Sequence, residues 1–349
     1  MQVVEIAGVS RVSRILVGDA YRGLARLIPP GPAVVITDEN ILRHYRQELP
    51  PFPVLSIGAG EGAKTLETVR GLYESLLGLE VDRSAFIVGI GGGVVCDVAG
   101  FTAATFLRGL RFGFVATSLL AQVDAAVGGK NGVNLEGYKN LVGTFSQPEF
   151  VLCDPMFLNT LPEAEAANGL AEILKHALIA DAGMFAAIED QAERALALDP
   201  AVVSRLVRDS VRIKTAVVGR DEREAGERRI LNFGHTLGHA LEAAGRFSHG
   251  EAVSVGMVFA AAVSVRCGRL APEAHGRIVR LLQRLRLPTT AAADLDRVQA
   301  AVGRDKKRRA GAVQMVQLNR IGEAVVETVA IEEFLHWLAE APDILRPAE

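Results

Sequence analysis

The sequence predicts an α/β N-terminal domain built on a parallel sheet, followed by a mostly α-helical C-terminal domain. Three observations carry this expectation. Between residues 1 and 160, short β-branched runs ending in Gly, Asp, Pro or Ser alternate with helical patterns, the rhythm of a parallel sheet with helices on its faces. From about 161 onward the apolar spacing lengthens to a helical period. The chain has 349 residues, enough for two domains of roughly 100–200 residues each. The expected domains are 1–160 and 161–349, joined near Leu161-Pro162.

In order, the strand-like runs are VVEIAGV from Val3, AVVITD from Ala33, PVLSIG from Pro53, AFIVGIGGG from Ala85, FGFVATSLL from Phe112 and FVLCD from Phe150. A helical pattern, Val94–Phe106, follows the glycines of the fourth run. In the second half, Pro200–Arg220 sets Val203, Leu206, Val207, Ser210, Val211 and Lys214 at helix spacing. His275–Leu287 and Ile331–Leu338 read the same way. Val313–Leu318 and Glu323–Val329 suit a short hairpin instead. No internal repeat or low-complexity segment is visible.

Composition narrows the function. Apolar residues make up 49% of the chain and charged residues 23%, too apolar for a disordered protein. The net charge of −3 argues against a protein that coats nucleic acid. Three scattered cysteines, Cys96, Cys153 and Cys267, define neither a disulfide framework nor a metal knuckle. The N-terminus lacks a basic segment followed by a long apolar run, so no signal peptide is expected. The stretch Ala252–Val265 is too short to span a bilayer. These features point to the cytoplasm and away from a membrane.

Four motifs carry chemistry. Gly91-Gly92-Gly93 lies between a strand and a helix start, the arrangement of a phosphate cradle in a Rossmann-like, nucleotide-binding parallel sheet; a ligand-free βα turn is the plainer reading. Residues 58–65, GAGEGAKT, mimic a P-loop but misplace the lysine. Asp38, at a strand end, suits a ribose hydroxyl or a helix N-cap. In DAAVGGK, Lys130 follows two glycines and reaches either a cleft or solvent, with Lys139 and Asn140 beyond it. The strongest constellation is Glu172 with His235, His239 and His249. One carboxylate and two imidazoles form a ligand set for catalytic zinc, although spacing alone leaves open which two histidines ligate. Absence of HExxH argues against a zincin peptidase. Finally, Lys175, Lys214, Arg228 and the run Arg304–Arg309 supply cations suited to a substrate bearing carboxylate and phosphate; a solvated loop or nucleic-acid patch is the alternative for the run. His44, His176, His275 and His336 read as structural.

The motifs GGGVVCDVAGFTAATFLRG, TSLLAQVDAAVGGKNGVN, YKNLVGTFSQP, GLAEILKHA, LNFGHTLGHALE, SHGEAVSVGM and DKK occur in the order of the 3-dehydroquinate synthases. From Thr37 to Lys307 the chain resembles that family. The resemblance implies a homodimeric enzyme using NAD and zinc, with cobalt as an alternative ion. It implies conversion of 3-deoxy-D-arabino-heptulosonate 7-phosphate, an anionic sugar phosphate, to 3-dehydroquinate and phosphate in the shikimate pathway.

Carried over by motif, the metal ligands are Glu172, His235 and His249, and His239 faces substrate. Lys130, Lys175, Lys214, Arg228, Asn232 and His239 match catalytic positions. Asp124, Asn140 and one of Lys306 and Lys307 match substrate contacts, and Arg108 matches an arginine supplied by the neighbouring subunit. Asp38, Glu61, Lys64, Gly92, Gly93, Asp97, Thr117, Ser118, Lys139 and Thr160 match cofactor-binding positions.

The chain departs from the family pattern at Ala116 and Ser118 (commonly PTTLL), Asn131 (commonly Thr), Tyr138 (commonly Gly) and Cys96 (commonly Gly). Asn131 and Tyr138 are expected at the substrate rim, whereas Cys96 is expected to pack. Related sugar-phosphate cyclases tend to alter the counterparts of Asn232, His239 or Lys130, all retained here. The rival readings are another such cyclase, a metal-dependent polyol dehydrogenase, and an inactive NAD-sensing scaffold.

Overall fold

A computed structural model describes residues 2–7, 12–243, 245, 247–292, 295–306, 311–341 and 343–346; at 7, 295–296, 303–306 and 346 only the backbone is considered. The chain forms two compact units. One comprises Met1–Pro162 with Val203–Arg223, the other Glu163–Val202 with Glu224–Glu349.

The first unit carries strands β1 (Gln2–Ala7), β2 (Val12–Val17), β3 (Ala33–Asp38), β4 (Val54–Ile57), β5 (Phe86–Gly91), β6 (Arg111–Ala116), β7 (Lys130–Leu135), β8 (Tyr138–Phe145) and β9 (Phe150–Cys153). Its helices include α1 (Leu24–Leu27), α2 (Glu39–Tyr45), α3 (Leu66–Gly78) and α4 (Gly93–Thr105). Seven strands form one sheet in the order β1-β2-β9-β6-β5-β3-β4. Only β1 runs antiparallel to its neighbour; the others pair in parallel. Central β5, FIVGIG, is buried along its whole length, as a strand covered on both faces must be. Val35, Val88, Val115 and Leu152 from four adjacent strands share one core, closed by Phe86 and Phe150, whose rings stack at 5.8 Å.

Two pieces of this unit escape the simple strand pattern. β2, VSRILV, interrupts its apolar residues with Arg14. β7 and β8 form a separate hairpin whose sequence is rich in Gly and Asn. Leu135 pairs with Tyr138 across Glu136 and Gly137, whose φ values of 50° and 76° match the two-residue turn that suits strand twist.

The second unit contains α5 (Glu163–Ala180), α6 (Ala182–Asp190), α7 (Ala192–Leu196), the first residues of α8 (Pro200–Arg220), α9 (His235–Ala243), α10 (His249–Arg266), α11 (Pro272–Arg284), α12 (Leu295–Lys306) and α13 (Ile331–Ala339). Short strands β10 (Ala291–Ala292) and β13 (Leu345–Arg346) pair in parallel. β11 (Ala312–Arg320) and β12 (Glu323–Ala330) form the expected hairpin. α10 is apolar nearly all round and buried for most of its length, the mark of a central helix. α5 and α9 pack on it.

Two glycines set how closely these helices approach. A Cβ on Gly256 would lie 1.9 Å from the Gly234 carbonyl oxygen, and one on Gly250 would lie 2.5 Å from the Asn168 Cα. Backbone therefore meets backbone beside His235 on α9, beside His249 on α10, and one turn before Glu172 on α5.

Candidate active site

In the first unit, β3 and β5 are neighbours, yet the chain leaves β3 for β4 on one side and returns to β5 on the other. The carboxyl ends flanking such a switch point are where open α/β sheets bind ligands. Asp38 ends β3 and Gly91 ends β5. Gly92 is the N-cap of α4 and offers no capping side chain, so the first-turn N–H groups suit an anion. The glycines are required by close packing. A Cβ on Gly91 would lie 2.5 Å from Val95, and one on Gly93 would lie 3.1 Å from the Ala125 Cβ. Cys96 is buried and its thiol lies 3.8 Å from the Gly91 carbonyl, so it packs as expected.

Around this cradle, Asp38 caps α2, accepting from the Ile41 N–H at 2.9 Å. Burial pushes its carboxyl above the ordinary range. Lys64 is buried and pairs with Asp97 at 2.5 Å. Burial nevertheless pushes Asp97 up to about 6, with Lys64 opposing the rise. Glu61 accepts from the Asn134 amide at 2.8 Å, and Asn134 in turn accepts from the Asn140 N–H at 2.9 Å. These bonds tie the β7–β8 hairpin, with its exposed Lys139, to the loop before α3. Thr117 is buried, while the Ser118 hydroxyl accepts from the Ala121 N–H. Exposed Thr160 hydrogen-bonds the Tyr45 hydroxyl at 2.9 Å.

Asp124 sits in a π-helical turn, Ala121–Ala125, a geometry frequent at functional sites. The Lys214 ammonium donates both to its carboxylate, at 2.5 Å, and to its carbonyl oxygen, at 2.6 Å. Lys130 is exposed at the start of β7. Asn131 does not line a rim, contrary to the sequence expectation. It is buried against α4, and its amide donates to the Gly129 and Ser146 carbonyls, bracing the loop that presents Lys130. Tyr138 is exposed. Arg108 is also exposed, on a left-handed turn with φ of 67°.

The second unit gathers the metal-type constellation. Ligand atoms of Glu172, His235 and His249 all lie within 4.8 Å of one another. His249 Nε2 is 3.3 Å and His235 Nε2 is 3.7 Å from Glu172 Oε1. The other ring nitrogens face acceptors: His235 Nδ1 lies 3.2 Å from the Phe233 carbonyl and His249 Nδ1 lies 3.5 Å from Glu242. Both Glu172 oxygens are buried without a hydrogen bond of ordinary geometry, which fits a site made to hold a cation. Buried Lys175, three residues on, pairs with Glu172. Burial favours the neutral acid, but Lys175 and the two histidines hold Glu172 well below the carboxylate range. His235 is lowered by burial and then by Lys175. Burial opposes the charge on His249, but the Glu172 and Glu242 carboxylates beside its two ring nitrogens raise it to about 10.

His239 is exposed one turn from His235, their rings 5.1 Å apart. Arg228 is buried in the 3-10 turn Glu227–Asn232. The Asn232 amide donates to Glu224 at 2.5 Å. Sequence reasoning missed Glu224 and Glu242. For Glu242 a signal existed, since it lies seven residues after His235, on the same helix face. Lys307 lies outside the described residues.

Fold and constellation together define a class: two-unit proteins with a glycine-bounded α/β cradle and a helical unit bearing a carboxylate–histidine centre. The profile of the 3-dehydroquinate synthase N-terminal domain matches residues 54–168, and that of the C-terminal domain matches 169–308. A 3-dehydroquinate synthase of Symbiobacterium thermophilum is 44% identical over 323 residues, covering 88% of this chain and 90% of the relative. One of Acetivibrio thermocellus is 41% identical, covering 87% and 88%. The chain belongs to the 3-dehydroquinate synthase family.

Among solved structures, 2-epi-5-epi-valiolone synthase from Streptomyces hygroscopicus, with NAD+ and Zn2+ bound, superposes with a TM-score of 0.87 at 27% identity. It covers 98% of this chain and 99% of its own. A 2-deoxy-scyllo-inosose synthase complexed with carbaglucose-6-phosphate, NAD+ and Co2+ gives 0.85 at 27% identity, covering 97% and 99%. A structure named as a probable glycerol dehydrogenase from Sinorhizobium meliloti shares the fold at a TM-score of 0.62 and 16% identity, covering 82% and 88%.

Proposed function

We propose that the chain carries out its family's reaction, turning 3-deoxy-D-arabino-heptulosonate 7-phosphate into 3-dehydroquinate and phosphate. This is a carbon–oxygen lyase step of the shikimate pathway. The observation that carries the reading is the convergence of Glu172, His235 and His249 in a chain of this family. NAD is the proposed organic cofactor and zinc the proposed ion, with cobalt as its substitute. When bound, the nicotinamide removes and returns hydride while the ion acts as a Lewis acid toward the substrate.

The chain's own residues bind, orient and shield. Glu172, His235 and His249 would hold the ion. First-turn N–H groups of α4, at Gly92 and Gly93, would take the pyrophosphate. Asp38, Glu61, Lys64, Asp97, Thr117, Ser118, Lys139 and Thr160 would complete the cofactor contacts. Lys130, Lys175, Lys214 and Arg228 would hold phosphate and carboxylate, with Asp124, Asn140, Asn232 and Lys307 fixing hydroxyl groups. His239, an exposed imidazole beside the ligand set, would move the proton at the C5 oxygen. Once C5 is a ketone, the neighbouring C–H is acidic and a phosphate oxygen of the substrate can accept its proton. Loss of phosphate, ring opening and aldol closure would then proceed on the substrate held by these residues. Water must be kept from the unsaturated intermediate.

The exposed turn at Arg108 supports a homodimer in which that arginine serves the partner copy. No helix among the described residues is long and apolar enough to cross a membrane.

Phosphate release from the heptulosonate phosphate, with catalytic NAD, tests the proposal. Release without net NADH, abolished by chelator and restored by zinc or cobalt, is expected. Net NADH from a polyol would assign a dehydrogenase instead. Identity of 41–44% to dehydroquinate synthases, against 27% to the two other cyclases, weighs against a different ring product. Substituting other sugar phosphates in the same assay checks this.

A further inference from the structure

The two histidines of the metal-type centre are held in the same way. Each turns Nε2 toward Glu172 and sets Nδ1 against an oxygen acceptor. For His235 the acceptor is main chain, the Phe233 carbonyl two residues away. For His249 it is a side chain from another helix, Glu242 Oε2 at 3.5 Å. Glu242 lies on α9 seven residues after His235, and its side chain is only 9% exposed. His249 is the first residue of α10, where little of its own helix restrains the ring. An imidazole whose remote N–H is taken by a carboxylate is fixed in tautomer and orientation and becomes a better donor.

We propose that Glu242 is a positioning residue for the metal centre. It accepts the His249 Nδ1–H, turns Nε2 toward Glu172, and so links α9 to α10 through the ligand itself. The inference rests on the metal-centre reading above, but it assigns a role to a residue outside the proposed ligand and substrate sets. The described side chains nearby make other contacts. His239 faces His235 edge-on, and the Ser248 hydroxyl bonds Glu251 and Asn168.

The experiment measures zinc affinity by competition with a chromophoric chelator, and the absorption spectrum of the cobalt-loaded protein, without NAD or substrate. Glu242→Ala should weaken zinc roughly 10–100-fold, the usual scale for losing such a partner, and should change the cobalt bands. Glu242→Gln keeps an acceptor oxygen and should stay within roughly threefold of wild type. Glu242→Met, which keeps the volume, replaces the alanine variant if circular dichroism shows the latter unfolded. Wild-type zinc affinity in the alanine or methionine variant would overturn the proposal. So would a glutamine variant that falls as far as they do. His235→Ala separates the two readings. If wild type and His235→Ala bind zinc equally, the ligand assignment fails and this inference with it. If His235→Ala loses zinc and Glu242→Ala does not, only this inference fails.

Discussion

Replacing Gly256 with alanine should damage the metal-type centre without touching any ligand. The added Cβ would lie 1.9 Å from the Gly234 carbonyl oxygen, about 1.5 Å inside ordinary van der Waals separation. Both partners are backbone, so no rotamer change relieves the contact and α9 and α10 must part by roughly an ångström. Overpacking of this kind costs about 1–3 kcal/mol, and the upper end applies because nothing soft yields. The same shift carries His235 away from His249. Metal sites tolerate about 0.2 Å of error in ligand distance, so zinc affinity should fall at least about tenfold. Thermal melts in chelator read the first effect and chelator competition reads the second. Gly71→Ala is the control, because Gly71 lies within α3 with no neighbour inside 4 Å of its Cβ position. That change should be neutral or stabilising by about 0.5–1 kcal/mol. If Gly256→Ala melted like wild type and bound zinc as tightly, glycine-permitted helix contact would not be what assembles the site.

Glu172→Gln leaves the buried Lys175 ammonium facing a neutral amide. It should cost about 3–5 kcal/mol of stability and lose the ion; one zinc per chain found by elemental analysis would contradict this. Asp97 titrates near 6 in the folded chain against about 3.9 unfolded. Its stabilising contribution is therefore complete below pH 4 and lost as pH rises through 6, up to about 3 kcal/mol. Urea denaturation of wild type and Asp97→Asn from pH 4 to 7 should show the wild-type advantage shrinking over that window. A gap independent of pH would refute it. Lys214→Met removes the ammonium held by Asp124 and should lower kcat/KM at least about 30-fold, on the scale of losing a buried charge contact. NAD affinity should stay unchanged, and an equal loss in both would misplace the residue.

Legibility in the sequence followed physical cause. β3, β5 and β9 are strands buried on both faces, so their runs are unbroken and their ends fall where Asp38 and Gly91 punctuate them. β7 and β8 were not legible. Their pairing depends on positive φ at Glu136 and Gly137, and glutamate seldom announces such a turn. The four-residue spacing of His235 and His239 was plain, but convergence with His249 and Glu172 depends on helix approach that no local pattern encodes. Burial likewise turned Asn131 from an expected rim residue into a brace, because the glycine at position 100 leaves room for its amide.

The order of segments along the chain has a practical consequence. The polypeptide passes from one unit to the other after Pro162, returns at Val203, and leaves again after Arg223. Neither half of the molecule is thus a continuous stretch of gene. A fragment cut after Pro162 would keep Asp124 in its π-turn but forfeit the lysine that neutralises it. Dissecting this enzyme by truncation would therefore report on an incomplete first unit, and fusing or swapping its halves requires carrying residues 203–223 along with the N-terminal part.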